Sequence, residues 1–133
     1  MRFLGLKQRR IRNIARRNLY EIVEDFSEVK SPCGLSYMLY DRLQSIGVDS
    51  RLFVVVARPR DRYIGHINLP RQNAHTFVFL AGRAFDPFYK EQASIDSYIS
   101  KAYRPGAGVR LHIMDALEMT ACPPDLGLRA WQS

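Results

Sequence analysis

Cys33, His75 and Asp86 are the residues whose types and order in this chain propose a chemistry. A thiolate attacks a carbonyl carbon, an imidazole holds and returns the proton, and a carboxylate fixes the imidazole's tautomer. Cys33 stands in Ser31-Pro32-Cys33-Gly34, directly ahead of an amphipathic run. A cysteine in the first turn of a helix meets unsatisfied N–H groups and the positive end of the helix dipole, and both favour thiolate over thiol. A lone cysteine is more often a small core residue, a strand histidine is often satisfied by backbone, and an aspartate before proline often forms a turn. The ordered set outweighs these separate readings.

The elements that must position the three residues follow from local pattern. Ser31 suits an N-cap and Pro32 the first helical position, where its missing N–H costs nothing. Leu35, Met38, Leu39, Leu43 and Ile46 recur at helical spacing and Gly47 supplies a stop, so a helix is expected from about Pro32 to Ile46. Leu52 to Ala57 reads as a buried strand, followed by a polar, Gly- and Pro-containing loop to about Asn73. Ala74 to Leu80 reads as a strand buried on both faces, with His75, Phe77 and Phe79 alternating with Thr76, Val78 and Leu80. Ala81-Gly82-Arg83 is expected to turn a hairpin into Ala84-Phe85-Asp86, which Pro87 ends. His75 opens one strand and Asp86 closes the next, so both belong to the open end of that hairpin.

Residues 3–22 read as one amphipathic helix presenting Phe3, Leu6, Ile14, Leu19 and Ile22 to a core or a membrane. A short helix is expected over Gln92 to Ala102 and a strand around Val109, Leu111 and Ile113, with an irregular tail from Cys122 onward. Helices first and several strands afterwards give an α+β fold with one antiparallel sheet. The expected division is a basic amphipathic helical arm over 1–28 and a catalytic domain over 29–133.

The formal net charge of +7 is carried by the arm. Arg2, Lys7, Arg9, Arg10, Arg12, Arg16 and Arg17 fall in a stretch without acids, and residues 18–133 hold equal numbers of basic and acidic side chains. A neutral body disfavours specific nucleic-acid binding. The arm reads by default as a solvated helix face, with an anionic membrane, a nucleic acid or an acidic protein as the competing occupants. Two cysteines make no disulfide framework, and neither CxxC nor HxxxH spacing is present, so no metal and no cofactor is expected. A reducing compartment is the simpler expectation, with a Cys33–Cys122 bridge as the alternative. The longest apolar run has six residues and the basic start leads into no apolar signal region. The expected location is cytoplasmic, or outside the cell as an effector exported without a classical signal peptide. His66 in its loop reads as a surface histidine, and His112 as a solvent-facing strand residue.

Cys-Gly-Leu-Ser-Tyr-Met-Leu-Tyr-Asp-Arg-Leu-Gln-Ser-Ile-Gly-Val-Asp-Ser-Arg, from Cys33 to Arg51, resembles the nucleophile helix and following strand of the transglutaminase-like branch of papain-fold cysteine enzymes. Asn-Ala-His-Thr-Phe-Val-Phe and then Ala-Phe-Asp-Pro resemble that branch's His and Asp strands. The same order is found in small bacterial papain-fold toxins and effectors that act as deamidases and proteases. The resemblance spans about residues 31–89. It implies a papain-like fold, Cys33 as nucleophile, His75 as general base and acid, and Asp86 as the orienter of His75. It also implies a protein substrate attacked at an amide, with glutamine deamidation, peptide hydrolysis or transglutamination as the outcome. Residues 25–32 lack the Gln that helps to build the oxyanion hole in papain, and the Arg-Gly-Gly of arylamine acetyltransferases is missing, which disfavours that subfamily. The other class of function is a non-catalytic papain-like fold that binds a partner through the basic arm.

Overall fold

A computed structural model describes residues 2–25, 34–57, 63–69, 74–105 and 109–113, of which 2–6, 110, 112 and 113 are described by backbone alone. The elements in chain order are α1 (Arg2–Asp25), α2 (Gly34–Ser45), β1 (Arg51–Val56), β2 (Ala74–Leu80), β3 (Arg83–Asp86), β4 (Tyr89–Ala93), α3 (Ile95–Ala102) and β5 (Arg110–Ile113). The fold is α+β. Its sheet has five strands in the order β4-β3-β2-β1-β5, and every pairing is antiparallel.

The sheet separates two cores. On one face Leu52, Val54, Ala74, Val78, Leu80 and Phe85 pack with Ala15, Leu19 and Ile22 of α1 and Leu35, Leu39 and Leu43 of α2. On the other, Val55, Phe77 and Ala84 pack with Tyr98 and Ala102 of α3, with Tyr103, and with Ile64. β2 is the central strand and has both faces covered, which is why it reads as nearly continuous apolar sequence. The basic helix thus supplies part of the main core. Its buried stripe is Ala15, Leu19 and Ile22, and Ile14, expected on the apolar face, is exposed.

The punctuation of the chain explains the geometry. α2 ends in a Schellman arrangement: Val48 N donates to Leu43 O at 2.9 Å and Gly47 N to Gln44 O at 3.1 Å. Gly47 holds the positive φ of 79° that this cap needs. The β2–β3 hairpin turns on Ala81 and Gly82, with φ of 48° and 75°, between the paired residues Leu80 and Arg83. Two consecutive positive φ values are those of a type I′ turn, whose twist matches that of the strands it joins.

Two expectations require correction. The helix expected from Gln92 begins at Ile95, because Ser94 caps it by accepting from Ser97 N at 3.3 Å and Gln92 and Ala93 belong to β4. β4 itself was not expected after Pro87. It is an edge strand that exposes Lys90 and Glu91, so it lacks the apolar alternation by which strands are read.

Candidate active site

His75 is the second residue of β2 and Asp86 the last of β3, and the hairpin brings them together at its open end. His75 Nε2 lies 2.8 Å from Asp86 Oδ1. Both side chains are fully buried. The same Oδ1 accepts from Phe88 N at 2.8 Å, so Asp86 also forms the turn that its position before Pro87 suggests. One oxygen serves both purposes.

The second carboxylate oxygen is equally occupied. His66 Nε2 lies 2.9 Å from Asp86 Oδ2, and the Tyr98 hydroxyl donates to Oδ2 at 2.6 Å. Tyr98 in turn lies 2.9 Å from the Tyr103 hydroxyl, which therefore donates to it. Four donors fill the acceptor capacity of one ionised carboxylate. Burial alone would raise the Asp86 pKa, but the charge of His75 and the hydrogen bonds from His66 and His75 outweigh it and hold the group below the ordinary carboxylate range. Tyr98 is pushed well above the usual phenol value by burial and then by the Asp86 charge, and Tyr103 likewise, so both remain neutral donors.

His66 corrects a sequence expectation. It is 3% exposed, buried rather than on the surface. Segment 63–69 is pinned by Ile67 N to Ala102 O and Arg104 N to Gly65 O, both at 2.9 Å, and by Asn68 Nδ2 to Phe88 O at 2.8 Å. These bonds deliver the imidazole to Asp86. The apolar residues Tyr63, Ile64 and Ile67 around His66, in an otherwise polar loop, are the sequence feature that marks it. No local sequence pattern announces the polar partners of the Tyr98 and Tyr103 hydroxyls.

Tautomers follow from the donors. Asn68 N donates to His66 Nδ1 at 3.1 Å, so the proton of a neutral His66 is on Nε2 and points at Asp86. His75 likewise gives its Nε2 proton to the carboxylate, which leaves Nδ1 as the nitrogen with an available lone pair. His75 Nδ1 is the single buried side-chain polar atom among the described residues without a hydrogen-bond partner. Its ring is edge-on to His66 at 5.0 Å and to Phe88 at 5.6 Å.

His66, His75 and Asp86 also present ligand atoms within 4.8 Å of one another, as a metal site would. The hydrogen bonding disfavours that use. A metal on His66 Nε2 would move the imidazole proton to Nδ1, where it would face the N–H of Asn68 instead of an acceptor. The donor set fits an Asp-centred hydrogen-bond network better than a metal centre.

Cys33 and Cys122 lie outside the described residues, as do Ser31 and Pro32, and so does the side chain of His112. The described part of α2 begins at Gly34, and its direction is fixed. The chain leaves the C-terminal end of α2 and enters β1 at Arg51, which pairs with Phe79 near the far end of β2. The N-terminal end of α2 accordingly lies toward Ala74, His75 and Thr76, and Ser36 Oγ donates to Thr76 O at 2.7 Å. His75 itself stands on the other face of the sheet, with Phe77, whereas α2 covers the face of Ala74 and Val78.

No family model matches the chain, and no curated protein and no solved structure matches it. Among the described residues, no helix is long and apolar enough to cross a membrane.

Proposed function

We propose that the chain is a cysteine-dependent amide hydrolase or acyl transferase of papain-like, transglutaminase-like type, acting on a protein substrate. The observation that carries this reading is the state of His75. Asp86 holds its Nε2 proton, and its buried Nδ1 is left open beside the end of the sheet toward which α2 begins. An orphaned buried nitrogen costs about 1–3 kcal/mol, and a thiol on the residue before Gly34 would relieve that cost while being activated by it.

In this mechanism Cys33 gives its proton to His75 Nδ1, and the imidazolium is stabilised by Asp86, which stays ionised. The thiolate sulfur bonds to the amide carbon, with the Cys33 N–H as one donor to the developing oxyanion. Collapse breaks the C–N bond, and Nδ1 returns its proton to the departing nitrogen. Water then attacks the thioester, leaving a carboxylic acid and the free thiol. A glutamine side chain releases ammonia and a peptide bond releases an amine. An incoming lysine amine in place of water gives an isopeptide bond. The resemblance to small bacterial effectors favours the hydrolytic outcomes, with a protein of a host or competitor as the substrate.

The test is ammonia release and fragment formation from glutamine-rich proteins such as casein, comparing the chain with Cys33→Ala. Turnover that disappears in Cys33→Ala is expected. Turnover that survives in that variant would remove the thiol from the mechanism.

A further inference from the structure

On the other side of the sheet from the Asp86 cluster, α1, β3 and β4 enclose a cleft of about 240 Å³ lined by Arg12, Asn13, Arg16, Arg83, Phe85 and Gln92. Three guanidinium groups from two elements line it, and no carboxylate does. None of the three has an acidic partner among the described residues: Arg42 takes Glu21, and the histidines take Asp86. Arg16 Nη2 donates to Asn13 Oδ1 at 3.2 Å, which fixes it beside Arg12, its neighbour one turn earlier. The residues three and four positions from Arg12 and Arg16 along α1 are Gln8, Arg9, Asn13, Ala15, Leu19 and Tyr20, besides each other, so the helix offers no neutralising charge. Like charges one turn apart oppose folding. An anion seated among them reverses the sign of that interaction.

We propose that this cleft binds the phosphate group of a small phosphoester. A guanidinium presents a planar fork of N–H donors matched to phosphate oxygens. A tetrahedral dianion has oxygens and charge for three such forks, whereas a carboxylate has two oxygens and one charge. The Asn13 and Gln92 amides add neutral polar lining, and Phe85 adds an apolar wall. The volume lies below the roughly 300–1,000 Å³ of typical organic-ligand pockets, which suits a phosphate with a short substituent. Arg83 sits at the turn end of the hairpin and His75 at its open end, so the cleft is distinct from the thiol site.

Isothermal titration with inorganic phosphate and with glycerol 3-phosphate, at matched ionic strength in chloride, tests the proposal on the full chain. Saturable one-site binding is expected, weakened roughly tenfold in each of Arg12→Gln and Arg83→Gln. Both variants change exposed or half-buried side chains, and circular dichroism verifies their fold. A parallel arm uses phosphatidylcholine vesicles with and without phosphatidic acid. Binding confined to the phosphatidic acid vesicles, and weakened by the same substitutions, keeps the phosphate site and assigns its source to lipid. The proposal is overturned by saturable binding of neither form, by binding indifferent to both substitutions, or by capture of polyglutamate without phosphate.

Discussion

Asp86 is the residue on which the buried polar network depends. It accepts from His75, Phe88 N, His66 and Tyr98, and its ionised form is the one that all four donors require. Because folding lowers its pKa, the unfolded chain binds more protons than the native state in the acid range, and stability rises with pH there. The contribution is complete above the ordinary carboxylate value of about 3.9. It is lost as pH falls from that value toward the lower folded one. Acid unfolding followed by circular dichroism should therefore begin near pH 4 and lie well to the acid side of any neutral transition. Asp86→Asn should lose that acid dependence and cost about 3–5 kcal/mol, since an amide cannot accept from four donors and leaves buried groups unpaired. An Asp86→Asn protein with wild-type stability and an unchanged acid limb would show that the network contributes nothing.

At the level of elements, the β2–β3 hairpin does the positioning, and its turn contains one unfavourable choice. Ala81 carries a side chain at a φ of 48°, a left-handed conformation that costs an L-residue about 1–2 kcal/mol. Asn-Gly is the preferred pair for this turn, so Ala81→Asn should raise stability by up to about 1 kcal/mol, read as a higher Tm. A lower Tm would mean that the turn does not govern the register. The hairpin was legible because β2 is a nearly continuous apolar run and its turn carries Gly82; β2 was expected over the residues it occupies. α2 was legible from its apolar spacing and Gly47. β4 was not, because an edge strand protected by Lys90 and Glu91 carries no alternating apolar pattern. At the site, His75 and Asp86 were legible as a pair because hairpin geometry is local. His66 reaches Asp86 from a loop and Tyr98 from α3, with Tyr103 behind Tyr98, and such contacts are set by tertiary packing that no local periodicity encodes.

Across the whole molecule, the sheet divides two functions of burial. One face, under α1 and α2, is mainly aliphatic; the other, under α3, holds more of the aromatic rings and the polar network. The charged helix belongs to the first of these cores through Ala15, Leu19 and Ile22, so its basic residues are held on a fixed surface. Ile22 is fully buried, and Ile22→Ala should cost about 2–5 kcal/mol in urea unfolding, as for a core residue. A cost near zero would indicate that α1 is dispensable to the fold. Holding α1 against β3 is also what sets Arg12 and Arg16 beside Arg83.

The proposed thiol chemistry requires one contact, between Cys33 and His75 Nδ1, and the pH dependence of Cys33 alkylation by iodoacetamide tests for it directly. The measurement uses Cys122→Ala protein with and without His75→Ala, each verified as folded. Fast alkylation persisting well below the ordinary thiol pKa of about 8.5, and abolished by His75→Ala, is the predicted result. Slow alkylation with an ordinary thiol profile, the same in both proteins, would contradict the activated pair and with it the proposed enzyme.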